Sequence, residues 1–84
     1  MDEHSIRERL RRLIRDRQLA CEKQERLWAG KGERKPCAAC LQPIATTDIE
    51  YEIDLDGAGV RLTFHPSCHL LWQQVCEELE FRPA

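Results

Sequence analysis

The chain has 84 residues, of which 33% are charged and 42% hydrophobic, with a formal net charge of −2 and a mean hydropathy of −0.59. This length allows at most one domain, whose small core is commonly supplemented by a metal. No apolar run approaches the ~18–20 residues of a membrane span, and the first residues lack the apolar stretch of a signal peptide. We therefore expect a cytoplasmic protein with no membrane partner and with reduced cysteines.

The two halves of the chain carry opposite charge. Residues 1–36 contain eleven Lys/Arg and seven Asp/Glu, whereas residues 37–84 contain two Lys/Arg and eight Asp/Glu. This asymmetry predicts that the basic residues 1–36 contact an acidic surface, either that of residues 37–84 or that of a partner.

The pattern of residues 5–17 predicts an amphipathic helix that begins at a capping box formed by Ser5 and Glu8. Six arginines cover its polar faces, and its apolar stripe consists of Ile6, Leu10, Leu13 and Ile14. A lone helix of this length is marginal in water. We therefore expect the stripe to pack on the second half, where the apolar candidates are Tyr51, Ile53, Leu62, Phe64 and Trp72, or on a partner that replaces it.

The chain divides into three parts. Residues 1–29 are a basic N-terminal helical segment, in which the loosely spaced apolar residues of 18–29 leave a second helical turn or an ordered loop open. Residues 30–36 have the composition of a linker, rich in glycine and ending in proline. Residues 37–84 form the third part, which we predict to be a Cys3His zinc-binding ββα module.

Residues 37–84 predict two strands and a helix, which together with the first helix make the fold class α+β. Residues 48–55 alternate strictly between apolar side chains and carboxylates, which predicts a half-buried strand with a solvated acidic face. Residues 56–59 predict a turn, and residues 60–64 predict the return strand. Residues 67–80 then predict a helix with one apolar face.

Four residues in the second half of the chain are spaced as metal ligands are. Cys37, Cys40, His65 and Cys68 form the pattern C-x2-C-x24-H-x2-C, which is typical of a closed zinc site. Four protein ligands leave no open coordination position, so such a zinc is structural. Cys68 falls in the first turn of the predicted helix, where the helix dipole favours a thiolate. We predict one structural Zn2+ in a treble-clef-like order of knuckle, hairpin and helix.

Two other interpretations of these residue types compete with zinc. The cysteines could be incidental to a metal-free core, and a redox Cys-x-x-Cys would need a βαβ context that is not visible here. His69 is a rival ligand to His65, but His65 matches the His-x2-Cys spacing, so we expect His69 at the surface or behind a ligand. Cys76 lies about 12 Å along the helix from Cys68, so we expect Cys76 and Cys21 to be small apolar residues.

The zinc motif resembles two known families. Cys37-x2-Cys40, Ile44 and the run Phe64-His65-Pro66-x-Cys68 resemble one zinc half of a LIM domain, and they are similar to the PARP-type nick-sensing finger. The likeness covers residues 37–72 and implies the metal site rather than a partner. A LIM domain continues with a second zinc set, which this sequence does not contain. The PARP-type finger is basic where it meets DNA, whereas residues 37–84 are acidic. Taken whole, the chain resembles a group of small uncharacterised bacterial proteins, which implies no known activity.

The residues do not indicate an enzyme. Pro36-Cys37-x-x-Cys40 is similar to half of the zinc-deaminase motif, but the required H-x-E would have to lie upstream, where only His4 is found. We expect no catalytic residues and no cofactor besides zinc. The expected function is a protein-interaction or adaptor module that is a monomer or weak dimer. The alternative is nucleic-acid binding through the arginines of the first helix, which the acidic second half opposes.

Overall fold

A computed structural model describes residues 2–19, 21, 26–55 and 60–80. The elements in chain order are helix α1 (Glu3–Arg15), strands β1 (Arg26–Lys31), β2 (Ile49–Leu55) and β3 (Val60–Phe64), and helix α2 (Pro66–Glu80). The strands form one antiparallel sheet in the order β1-β2-β3, so the predicted α+β class is confirmed. The turn predicted at residues 56–59 lies outside the described residues. None of the described helices is long and apolar enough to cross a membrane.

Helix α1 begins before the predicted capping box. Asp2 is the N-cap, with an extended backbone, and its Oδ1 accepts a hydrogen bond from the Ser5 N–H at 2.8 Å. This hydrogen bond lowers the pKa of Asp2 below its usual value. A carboxylate at this end also interacts favourably with the helix dipole, which explains why Asp2, rather than Ser5, starts the helix.

The apolar stripe of α1 packs on helix α2. Ile6 and Leu10 are buried in the same core cluster as Trp72, and the rim of this contact is polar: Arg11 Nη2 lies 3.0 Å from Glu78 Oε2. The prediction that α1 docks on the second half is confirmed. The contact is made with α2, however, and among the described elements α1 packs against no strand.

Cys21 and Cys76 form a disulfide, with their Cα atoms 5.5 Å apart. The expectation that both are only small apolar residues, in a chain with reduced cysteines, is therefore wrong in this structure. The pairing follows from the end of α1: Arg17 adopts a left-handed conformation with a φ of 61°, and the Gln18 N–H donates to the Leu13 carbonyl at 2.8 Å. This turn reverses the chain beside α2, which carries Cys76.

Strand β1 lies where the sequence predicts no strand. It occupies the end of residues 18–29, whose pattern is compatible with either a helical turn or an ordered loop. Its last two residues, Gly30 and Lys31, belong to the predicted linker. It pairs with β2 from Arg26↔Asp54 to Lys31↔Ile49. The rest of the predicted linker is also ordered by backbone hydrogen bonds, as shown by the Gly32 N–H, which donates to the Asp48 carbonyl at 2.9 Å.

The core lies between one face of the sheet and helix α2. Ile53 and Phe64 contribute from the strands, and Trp72 and Val75 contribute from the helix, all with at most 1% exposure. The rings of Phe64 and Trp72 stack with their centroids 5.2 Å apart. Because side chains alternate along a strand, the carboxylates of β2 lie on the opposite face of the sheet.

Candidate metal centre

The structure brings the four predicted ligands together. The Sγ atoms of Cys37, Cys40 and Cys68 and a ring nitrogen of His65 all lie within 4.8 Å of one another. His65 Nδ1 is 3.5 Å from Cys40 Sγ and 3.9 Å from Cys68 Sγ. All three cysteines are buried and free of disulfides, so their thiols are available to a metal ion.

A tight turn presents the first two cysteines on the same side. The Cys37 N–H donates to the Gln42 carbonyl at 2.9 Å, and the Leu41 N–H donates back to the Cys37 carbonyl at 2.9 Å. Leu41 closes the turn in the left-handed region, with a φ of 66°, a conformation that L-residues with a side chain rarely adopt. The short loop therefore holds Cys37 and Cys40 beside each other.

Strand β3 fixes this turn relative to the second pair of ligands. The Ala38 N–H donates to the Thr63 carbonyl at 2.8 Å, and the Thr63 hydroxyl donates to the Pro36 carbonyl at 2.9 Å. β3 ends at Phe64, so His65 follows directly, and Cys68 lies in the first turn of α2. The two ligand pairs are thus also joined through hydrogen bonds to one residue of β3.

Two of the distances between ligand atoms are close to those of a tetrahedral zinc site. With Zn–S bonds of ~2.3 Å and Zn–N bonds of ~2.0–2.1 Å, a tetrahedral site separates two sulfurs by about 3.8 Å and a sulfur from a nitrogen by about 3.6 Å. The two sulfur–nitrogen distances of 3.5 and 3.9 Å bracket the second value. Three thiols and one imidazole are also the donor types that zinc takes in closed structural sites.

The electrostatics of the site favour a cation at its centre. A hydrogen bond from the Cys68 thiol lowers the pKa of Cys37 to about 4, with further help from the backbone N–H groups of Cys40, His65 and Ala39. The same hydrogen bond raises the pKa of Cys68, and burial raises it further. Negative charge on Cys37 and Cys40 also raises the pKa of Cys68. A divalent cation would stabilise the thiolate form of all of them.

His69, the rival ligand, is not part of the cluster. It is buried, with 7% exposure, and its ring packs edge-on against the rings of Tyr51, Phe64 and Trp72. The expectation that it lies at the surface is therefore wrong. Burial lowers the pKa of His69 and so favours a neutral ring in this aromatic cluster.

Glu50 is a further feature that sequence reasoning misses. The alternation of β2 predicts a solvated acidic face, yet Glu50 is only 5% exposed. Its neighbours on that face include Trp28 and Gly30 of β1 and Glu33 of the following loop, and β1 is a strand that the sequence does not predict. A signal was present in Trp28 and Gly30, whose two-residue spacing puts both on one face of a strand, but the run is too short to identify one.

Comparison of the chain with protein-family models, with curated proteins and with solved structures finds no match. The cluster of Cys37, Cys40, His65 and Cys68 could hold a metal ion and is compatible with a zinc-binding module.

Proposed function

We propose that this chain is a small, non-enzymatic zinc protein that acts as a protein-interaction or adaptor module. One structural Zn2+ would be bound by Cys37, Cys40, His65 and Cys68. The observation that carries this proposal is the convergence of their four ligand atoms within 4.8 Å. Because four protein ligands close the coordination shell, the metal would hold the module together and leave no position for a substrate.

A treble-clef-like arrangement of the zinc module is part of the proposal. The chain order supports it: a turn with two cysteines, then the antiparallel pair β2–β3, then a helix whose first turn carries Cys68. In such an arrangement the metal lies where the turn, the strand end and the helix start meet. Residues 37–80 would then depend on zinc for their stability more than on their small core.

The interaction role is supported by the surface of this scaffold. Trp28 is 44% exposed on the sheet, and Leu70 is 53% exposed on α2. Tryptophan is enriched at protein interfaces because one side chain supplies a large contact area. Together with a closed metal site, such exposed side chains favour binding over catalysis.

One observation favours the alternative of nucleic-acid binding. Arg9, Arg12 and Arg15 line one open surface of α1, where they could contact phosphates. Arg7 and Arg11, in contrast, are engaged with Gln74 and Glu78 of α2. The arginines available to a nucleic acid are therefore fewer than the sequence suggests, and we place this function second.

Intact mass measured under native and denaturing conditions tests the zinc assignment. We expect one zinc ion per chain in the native spectrum of protein purified without chelator, and none in a Cys37→Ser variant. Native protein without metal would overturn the proposal. Retention on heparin tests the alternative: we expect weak retention. Strong, salt-dependent retention that is lost when Arg9, Arg12 and Arg15 are changed to alanine would favour nucleic-acid binding.

A further inference from the structure

An open cavity of about 320 Å³ lies on the face of the sheet that is turned away from α2. Trp28 and Gly30 of β1, Glu33 of the following loop, and Glu50 and Glu52 of β2 contribute to its lining. We call it the Glu50 cavity. Its volume is at the lower end of the ~300–1,000 Å³ typical of ligand sites, so it suits a side chain better than a large molecule.

Glu50 is the unusual member of this lining. Glu50 is only 5% exposed, and its Oε1 is buried without a hydrogen-bond partner among the described residues. A buried carboxylate that lacks a partner is destabilising, because burial removes its hydration without replacing it. Glutamates are almost never this buried unless they are paired. Glu50 therefore indicates a missing cationic partner.

The neighbouring residues leave this position open. Gly30 lies opposite Glu50 in the β1–β2 register, and a Cβ at Gly30 would meet nothing within 4 Å. Glu52 already has a cation, since Arg61 Nη1 lies 3.2 Å from its Oε1. Lys31 also lines the cavity, but it pairs with Ile49 rather than Glu50 in the register, and Glu50 Oε1 has no hydrogen-bond partner among the described residues, Lys31 included. Within the described part of the chain, Glu50 is thus the buried lining carboxylate with an unpartnered oxygen, whereas Glu33, which also lines the cavity, is exposed.

The lining suits an organic cation. Trp28 is exposed, and its ring already has the Arg61 guanidinium carbon 5.8 Å from its centroid, the geometry of a cation–π contact. Among the described residues, the only cluster with metal-ligand geometry is the Cys3His group, so the carboxylates of this cavity do not form a metal site. A guanidinium or an ammonium group matches both the carboxylate and the indole.

Access to the cavity runs along strand β1. β1 is at the edge of the sheet, and it packs against no other described helix or strand besides β2. We infer that the Glu50 cavity binds an arginine or lysine side chain presented by a partner protein, with Glu50 as the hydrogen-bond acceptor and Trp28 as the wall. This inference rests on the proposed interaction function and names the chemistry of the partner.

Peptide titration followed by NMR tests this inference. The zinc-loaded full chain, labelled with 15N, is titrated with acetyl-Thr-Val-Arg-Val-Thr-amide, with its lysine analogue, and with an analogue that carries neutral citrulline in place of arginine. We expect saturable shifts of the Gly30 amide and the Trp28 indole N–H with the charged peptides. Citrulline should weaken binding about tenfold or more, because charge-assisted hydrogen bonds are about twice as strong as neutral ones.

Three variants locate the binding. Glu50→Gln removes the charge with little change of shape, and Gly30→Val fills the cavity with a side chain that suits a strand. Both should weaken arginine-peptide binding about tenfold or more. Glu77→Gln, which removes the same charge from the exposed surface of α2, should bind as the parent protein does. Both variants that alter the cavity should keep the amide spectrum of the metal centre, which shows that they fold.

The inference is overturned if the citrulline peptide binds as tightly as the arginine peptide, if Glu50→Gln and Gly30→Val bind like the parent protein, or if neither probe resonance shifts. Zinc content measured on the same samples separates this result from the proposed function. If zinc-loaded protein does not bind the peptides, the proposed binding at the Glu50 cavity is refuted and the zinc assignment is unaffected. Protein that binds the peptides without zinc refutes the zinc assignment and supports the cavity.

Discussion

Cys21 and Cys76 are 55 positions apart in the sequence, yet their Cα atoms lie 5.5 Å apart across a disulfide. The loop that this bond closes contains the whole sheet and all four candidate metal ligands. The disulfide ties the segment after α1 to α2, and a metal ion bound by the candidate ligands would add a second cross-link inside this loop, between the turn at Cys37 and Cys40 and the start of α2.

Loss of the disulfide should destabilise the protein. Replacing Cys76 by serine should lower the free energy of unfolding by about 4 kcal/mol, the loop-closure term for a loop of this length. Denaturant unfolding of protein purified without reductant measures the effect. Cys21→Ser should match it, and the double variant should add little because both changes remove the same bond. Additive effects, or alkylation of both thiols in the parent protein, would contradict the pairing.

Removal of zinc should unfold the metal centre as a unit. Chelation, or Cys68→Ala, should abolish the amide dispersion of residues 37–80, because zinc binding supplies folding free energy in small metal-dependent modules. A 1H–15N spectrum recorded before and after chelation measures this. The matched control is Cys76→Ser, which also removes one cysteine but should retain the metal. An unchanged spectrum in protein confirmed to be zinc-free would show that the fold does not depend on zinc.

Two glycines close together in sequence should respond oppositely to alanine. A Cβ at Gly32 would lie 2.0 Å from the Ala45 carbonyl oxygen and 2.8 Å from that of Ile44. Both are backbone atoms, so Gly32→Ala should cost about 3 kcal/mol, at the upper end of overpacking effects. Gly30→Ala points into open space and should stabilise the strand by about 0.5 kcal/mol. Thermal unfolding compares them, and equal effects would refute the close approach at Gly32.

The N-cap of α1 should depend on pH. The folded-state pKa of Asp2 is lowered from 3.8, so its capping contribution is present above that value and is lost as the pH falls through the lower folded-state pKa. Asp2→Ala should lose the protection of the Ser5 amide at neutral pH, whereas Asp2→Asn should keep it without the acid dependence, since asparagine also caps well. Amide exchange at Ser5 measures both. Full protection in Asp2→Ala would refute the cap.

The contact between α1 and α2 should be dominated by its apolar residues. Leu10 is fully buried, so Leu10→Ala should lower the free energy of unfolding by about 3 kcal/mol. Glu78→Gln breaks the pair with Arg11 in a position where the Glu78 side chain is 52% exposed, and it should cost less than about 1 kcal/mol and still less at high salt. A larger effect of Glu78→Gln than of Leu10→Ala would show that the ion pair dominates.

The clustering of the candidate ligands and most elements could be predicted because their signals are local. Strict alternation indicates β2 and β3, and apolar periodicity indicates α1 and α2, since the side chains of one element face the core at the period of that element. The spacing of Cys37, Cys40, His65 and Cys68 is likewise a property of short segments. Within each pair, two residues separate the two ligands, so both side chains of a pair can reach one ion regardless of how the rest of the chain folds.

The disulfide, strand β1 and the burial of Glu50 were decided by tertiary structure. Leu27 and Trp28 are half exposed, so β1 has little apolar alternation of its own, and its hydrogen bonds come from pairing with β2. Glu50 has β1 and the loop at Gly32 beside it only because β1 pairs with β2. Cys21 meets Cys76 only because α1 docks on α2. Each outcome depends on the relative placement of distant segments, which the periodicity within a single segment does not specify.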